Sequence, residues 1–222
     1  MLLLLVTLAT LGANRVLLPL STGASCLDGS PYAFYLAANR SSTRWSIYFR
    51  GGGWCYNETL CEDRAYSKLG TSTLQPAVGD CECAYFYDDG MPDEEQCNCV
   101  SLVYCDGASF SGHRAQPWPI PTPRANVTHL HFRGLRNLNA TLDYLAANAG
   151  FANATEVVVT GGSAGGLSTF LHADRIAGTC TSHMIALFST LRGDTACTLL
   201  RCRLVFNGIH RSLSILSLLA RS

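Results

Sequence analysis

The order of hydrophobic periods along the chain predicts an α/β fold, with a central, mostly parallel sheet flanked by helices. Three observations predict it. Val157, Val158 and Val159 form a β-branched run short enough to be a strand buried on both faces. Ahead of it, Leu135, Leu138, Leu142, Leu145, Ala146 and Ala149 recur at three- and four-residue steps, the period of a helix with one buried face. Behind it, Gly161-Gly162-Ser163-Ala164-Gly165-Gly166 turns tightly into the apolar Leu167, Phe170, Leu171 stretch, which predicts a second helix. Strand and helix alternating in this order require parallel crossovers.

In chain order, Met1 to Leu11 is almost wholly apolar, and Arg15 interrupts the run before the ~20 residues that a membrane-spanning helix requires. Residues 1–24 are therefore expected to be a signal peptide, cleaved before Ser25 with the small Thr22 and Ala24 at the minus-three and minus-one positions. Ser46 to Phe49 reads as a strand ending at Gly51-Gly52-Gly53, and Val100 to Tyr104 as another ending at Asp106-Gly107. Pro117, Pro119, Pro121 and Pro123 mark an extended loop, because each lacks an amide donor and fixes its own φ. Val127 to Phe132 alternates as a third strand. The helix from Leu135, with Asn137, Asn139 and Asp143 off its apolar face, stops near Gly150. Glu156 to Thr160 follows as a strand, and the last helix begins after Ser163. No repeat or linker divides the chain, so residues 25–177 are expected to form one domain. Residues 178–222 form a divergent tail ending in the apolar Leu213 to Leu219.

Hydrophobic residues make up 48% of the 222 and charged ones 14%, with 16 basic against 16 acidic. That is too apolar for a disordered chain, and it lacks the basic excess of a nucleic-acid binder, so no nucleic-acid partner is expected. Sequons at Asn39, Asn57, Asn126, Asn139 and Asn153 agree with export. In an oxidising compartment most of the eleven cysteines would pair, and the eight from Cys26 to Cys105 are an even number that can pair among themselves. Cys180, Cys197 and Cys202 fall in the tail. A zinc cluster on Cys81, Cys83, Cys97, Cys99 and Cys105 is the rival reading, but one residue between paired cysteines is a poor zinc spacing. The acidic Asp88, Asp89, Asp93, Glu94 and Glu95 lack the ligand order of a calcium loop, so no metal and no cofactor is expected.

The chemistry concentrates at Gly162-x-Ser163-x-Gly165, which matches a nucleophile elbow. A sharp turn must hold the serine in a strained conformation, and small neighbours must let strand and helix approach. A dinucleotide site would need a glycine where Ser163 stands. The same turn directs the Ala164 amide toward a substrate oxygen, and Gly51-Gly52-Gly53-Trp54 is placed to supply further oxyanion donors.

Taken together, Cys26-Leu27-Asp28-Gly29-Ser30-Pro31, Gly51-Gly52-Gly53-Trp54-Cys55, Tyr104-Cys105-Asp106-Gly107-Ala108-Ser109-Phe110-Ser111-Gly112, Phe132-Arg133-Gly134, Gly162-Ser163-Ala164-Gly165-Gly166 and Asp174-Arg175-Ile176-Ala177 resemble the pectin acetylesterase and Notum family of α/β-hydrolase-like carboxylesterases. The Cys105-Asp106-Gly107 form is closer to the pectin acetylesterases. The resemblance implies an α/β-hydrolase-like fold, incomplete here at its C-terminal end. It implies ester hydrolysis with Ser163 as nucleophile and the amides of Gly53, Trp54 and Ala164 as oxyanion donors. Its substrate would be an acetylated cell-wall polysaccharide, met by a secreted protein outside the cell or in the wall, with no membrane insertion after leader removal. Notum-like members instead remove a long acyl chain from a protein. Arg50 stands where the family leads one to expect an acidic residue.

A serine hydrolase of this fold also needs an acid and then a histidine after the serine. Asp194 and His210 satisfy that order by position alone, with too little chain around them to build the remaining strands, so neither is assigned. His113, His129, His131, His172 and His183 read as structural or exposed. The rival to an esterase is a truncated or inactive relative that binds glycans or another partner.

Overall fold

The computed structural model describes residues 11–38, 41–83, 97–121, 123 and 126–179, with the backbone of 184–190 and 200–202. The centre of its sheet is parallel. β3 (Arg44–Phe49) lies between β5 (Asn98–Leu102) and β8 (Glu156–Gly162), parallel to both, and β9 (Met184–Thr190) adds in parallel beyond β8. Antiparallel strands flank this centre: β2 (Ala33–Ala37), β1 (Leu11–Leu17) and β4 (Val78–Cys81) on one side, β10 (Leu200–Cys202) on the other. The order is β10-β9-β8-β3-β5-β2-β1-β4. With α1 (Glu58–Ala65), α2 (Gly134–Asn148) and α3 (Ala164–Ala177) around it, this mixed sheet is the α/β-hydrolase-like arrangement that the sequence predicts. Val157, Val158 and Val159 are buried, as the β-branched run requires of a strand with neighbours on both edges.

Residues 11–17, within the segment expected to be a leader, form β1, which pairs with β2 at Asn14↔Leu36 and with β4 at Leu11↔Cys81. Ala13 and Ala24 are fully buried, and the Ser25 amide and carbonyl both bond the Asn137 side chain, at 2.8 and 2.9 Å. Two sequence expectations need correction. The first is Asn137 itself, assigned off the buried face of α2 yet fully buried, because both ends of its amide satisfy that backbone. Second, Val127 to Phe132 does not join the sheet. Only His129–Leu130 (β7) is extended, paired antiparallel with Trp118–Pro119 (β6) in a separate ribbon.

The core fills the space between sheet and helices. Trp45 meets Phe151 edge-on at 5.0 Å and Phe34 meets Tyr144 at 5.4 Å, while Leu138 and Leu145 of α2 are fully buried with them. α3 packs differently from its apolar pattern. Its buried face is Ala164, Gly165, Gly166, Ser168, Thr169, His172, Ala173 and Ile176, while Leu167, Phe170 and Leu171 are partly exposed. Small residues face the sheet because the helix approaches it so closely that a Cβ on Gly165 would lie 2.0 Å from the Phe49 carbonyl oxygen. All eight cysteines from Cys26 to Cys105 are paired: Cys26–Cys105, Cys55–Cys61, Cys81–Cys99 and Cys83–Cys97.

Candidate active site

The parallel centre of the sheet delivers two loops to one place. β8 ends at Gly162 and α3 starts at Ala164, so Ser163 alone makes the turn, with φ 55° and ψ −120°. A side chain rarely adopts that backbone, and a serine held in it is a strained residue between strand and helix. Ser163 is exposed, and its hydroxyl makes no capping bond to the helix it begins. Helix N-caps are normally satisfied by such a hydroxyl; here Oγ is left free for other chemistry. Gly161 and Gly165 explain how so abrupt a turn fits. A Cβ on Gly161 would lie 2.3 Å from the Gly165 carbonyl oxygen.

β3 ends one strand away, and the loop Gly51-Gly52-Gly53-Trp54 crosses against the same turn. A Cβ on Gly51 would lie 2.2 Å from the Gly162 carbonyl oxygen and 3.2 Å from the Ala164 amide nitrogen, so only glycine admits this approach. Arg64 of α1 donates from Nη2 to the carbonyls of Gly52 and Gly53, and the Tyr104 hydroxyl donates to the Gly53 carbonyl at 2.8 Å. In a trans peptide the N–H points opposite to the C=O of the same unit. Holding those two carbonyls toward Arg64 and Tyr104 therefore turns the amides of Gly53 and Trp54 to the other side of the loop. Among the described residues neither amide donates within the fold. The Cys55–Cys61 disulfide and the bond from the Cys55 amide to the Gly107 carbonyl, 3.1 Å, fix the loop's far end.

Beneath both loops lies the turn after β5, whose role the sequence did not reveal. Ser109 and Phe110 both have positive φ, 52° and 58°, and both are buried. The Trp54 indole donates from Nε1 to Ser109 Oγ at 2.8 Å, and that hydroxyl donates to the Ala164 carbonyl at 2.8 Å. Asp106 shapes the turn by accepting from the Phe110 amide at 2.9 Å. Burial pushes its carboxyl up to about 7, against the lowering effect of the Phe110, Asp106 and Ala108 amides and of Arg64. Its Oδ1 has no partner among the described residues, and a Cβ on Gly134 would collide with Oδ2. In sequence the segment from Tyr104 to Gly112 forms part of the family resemblance, with no role given to Asp106 or Ser109.

The remaining candidates sort by position. His172 is buried on α3, its Nε2 3.2 Å from the Ser109 carbonyl oxygen, and burial lowers its pKa. Arg50 turns away from the glycine loop: its Nε donates to Ser101 Oγ at 2.8 Å and its guanidinium lies 4.7 Å from the Tyr35 ring centroid. It anchors the start of the loop to β5 and β2. Asp194 and His210, like His183, lie outside the described residues.

The pectinacetylesterase family model matches residues 9–186. Among curated proteins, Pectin acetylesterase 5 of Arabidopsis thaliana is 36% identical over 155 residues, covering 68% of this chain and 35% of its own length. Pectin acetylesterase 4 of the same plant is 38% identical over 159 residues, covering 68% and 36%. The mouse (Mus musculus) palmitoleoyl-protein carboxylesterase NOTUM is 27% identical over 167 residues, covering 73% and 31%. A crystal structure of the Wnt deacylase Notum from Drosophila superposes with a TM-score of 0.64 at 26% identity, over 80% of this chain and 51% of that one. The chain thus spans about a third of the length of the curated relatives it matches. With the family model matching residues 9–186 and relatives above 30% identity over two thirds of its length, the chain belongs to the pectinacetylesterase family.

Proposed function

We propose that this chain is a secreted serine carboxylesterase that removes acetyl groups from an acetylated cell-wall polysaccharide through an acyl-enzyme on Ser163. The observation that carries the reading is the Ser163 backbone, φ 55° and ψ −120°, with the hydroxyl exposed and unused by the fold. In the reaction, Ser163 Oγ attacks the ester carbonyl. The amides of Gly53, Trp54 and Ala164 hold the oxyanion, the sugar hydroxyl leaves, and water then releases acetate. The Ala164 amide heads α3, where unpaired N–H groups and the helix dipole favour negative charge. Family membership supports the ester as the bond and the polysaccharide as its carrier.

Four disulfides support an oxidising compartment, and no helix among the described residues is long and apolar enough to cross a membrane. Asn57, Asn126 and Asn153 are exposed and open to glycans, whereas Asn139 lies on α2 with its Oδ1 bonded by Arg175.

A second reading is a relative that binds glycans without turnover: His172 is held in the core by its ring, and Asp194 and His210 lie outside the described residues. A Notum-like long-chain deacylase is the weaker alternative. The rate of aryl acetate hydrolysis by the purified chain, beside Ser163→Ala, separates the readings. A Ser163-dependent rate on the order of 1 per second supports the esterase. Equal rates for two folded proteins support the glycan binder.

A further inference from the structure

We infer that Ser109 is a positioning residue that sets the two sides of the oxyanion hole against each other. The inference rests on the reading of Ser163 as nucleophile and of the Gly53, Trp54 and Ala164 amides as oxyanion donors. Those donors come from two separate loops, one after β3 and one after β8; pairing of the two strands as far as Phe49↔Gly161 sets the loops side by side, and Ser109 bonds across to residues beyond both strand ends.

Ser109 lies between the two and bonds to both. Its hydroxyl accepts from the Trp54 indole and donates to the Ala164 carbonyl, each at 2.8 Å, so both capacities of one oxygen are used across the gap. Its amide donates to the Tyr104 hydroxyl at 3.1 Å, and that hydroxyl donates to the Gly53 carbonyl at 2.8 Å. The peptide whose N–H belongs to Trp54 is therefore tied to Ser109 at its carbonyl, through Tyr104, as well as through the indole. On the other side, the Ala164 carbonyl belongs to the peptide unit next to the one that carries the Ala164 N–H, so the bond from Ser109 holds the first turn of α3 one unit beyond that donor. The residue is buried and held at φ 52°, a conformation natural to glycine, so the hydroxyl and amide point where they do under a backbone strain that the surrounding turn maintains. Asp106 holds the adjacent Phe110 amide, and His172 lies 3.2 Å from the Ser109 carbonyl, so three polar groups of the residue are placed at once. Oxyanion donors work through preorganisation, and a misplacement of about 1 Å costs about a hundredfold in rate.

The test is a cycle of variants in the full chain: Ser109→Gly, Trp54→Phe and the double variant, with Ser163→Ala as reference, on an aryl acetate. Glycine suits φ 52°, so Ser109→Gly removes the hydroxyl without adding strain. Phenylalanine keeps an aromatic ring at Trp54 without the indole N–H. Ser109→Gly is expected to lower kcat about tenfold with KM within about twofold, since the residue touches no substrate. Trp54→Phe alone is expected to lower kcat about threefold, and to cost nothing further once Ser109 is glycine, because the bond it removes is already gone. A kcat for Ser109→Gly within twofold of the parent overturns the inference, as does a fall confined to KM or a double variant whose losses multiply. If Ser109→Gly does not fold, Trp54→Phe decides: kcat unchanged overturns the inference. Equal rates for the parent and Ser163→Ala overturn the esterase reading and this role with it, whereas a Ser163-dependent rate indifferent to Ser109 overturns the role alone.

Discussion

Ser163 sits in a backbone conformation that disfavours any side chain, by about 1–3 kcal/mol. Glycine there relieves the strain, so Ser163→Gly is expected to raise stability by about 1 kcal/mol in urea unfolding, while Ser163→Ala changes it by less than about 0.5 kcal/mol. Under the proposed esterase reading, both variants are expected to lose hydrolysis of an aryl acetate, which the rate assay checks. Asp106 makes the opposite kind of prediction. Its folded pKa of about 7 exceeds the ordinary 3.8, so the stability it contributes is complete below 3.8 and is lost as pH rises through about 7. Replacing it by asparagine, which keeps an acceptor for the Phe110 amide, is expected to flatten that decline by a few kcal/mol. Urea midpoints taken between about pH 4 and 8 read the difference, and a parallel decline in both proteins would show that Asp106 is ionised in the fold. His172 acts with the reverse sign: burial lowers its pKa, so its contribution is present above the ordinary 6.5 and fades as pH falls through the lowered value.

Between elements, glycine does two separable jobs. At Gly165 it lets α3 lie against β3, where a Cβ would meet the Phe49 carbonyl oxygen at 2.0 Å and backbone would have to move. At Gly53 a Cβ would meet nothing within 4 Å, and only φ 68° favours glycine. Gly165→Ala is therefore expected to cost more than about 4 kcal/mol, or to prevent folding, and Gly53→Ala about 1 kcal/mol. Comparable losses in denaturant unfolding would contradict this division. The helix that carries Gly165 also shows why its apolar pattern misleads. Leu167, Phe170 and Leu171 stay partly exposed, because contact with the sheet is made by the small residues of the opposite face. Where closeness of approach decides packing, residue size outweighs hydrophobicity.

For the molecule as a whole, β1 matters most. It lies between β2 and β4, so a chain beginning at Ser25 would leave a row of backbone groups on each without partners. Such a chain is expected to lose the cooperative urea transition that a chain beginning at residue 9 retains. If both unfold alike, β1 is dispensable to the fold. The Cys26–Cys105 disulfide, closing a separation of 79 residues, ties the segment after β1 to the end of β5. Chain entropy makes it worth about 4 kcal/mol against about 2 for Cys55–Cys61 with its separation of 6.

Sequence alone determined whatever depends on neighbours in the chain. The period of α2, the β-branched core of β8 and the glycine-flanked Ser163 are local patterns, and each appears in the structure within a residue or two of its predicted place. Tertiary structure decided what depends on partners distant in sequence. Asn137 is polar and reads as exposed until Ser25, 112 residues away, supplies its bonds. β1 reads as part of a leader because a strand is recognised by its pairing partners, and these lie at β2 and β4. Ser109, 55 residues from both Trp54 and Ala164, has no pattern around it that marks a bridge between them. Local conformation is set by residues a few positions apart, whereas hydrogen-bond satisfaction and packing are completed only when the sheet brings distant segments together.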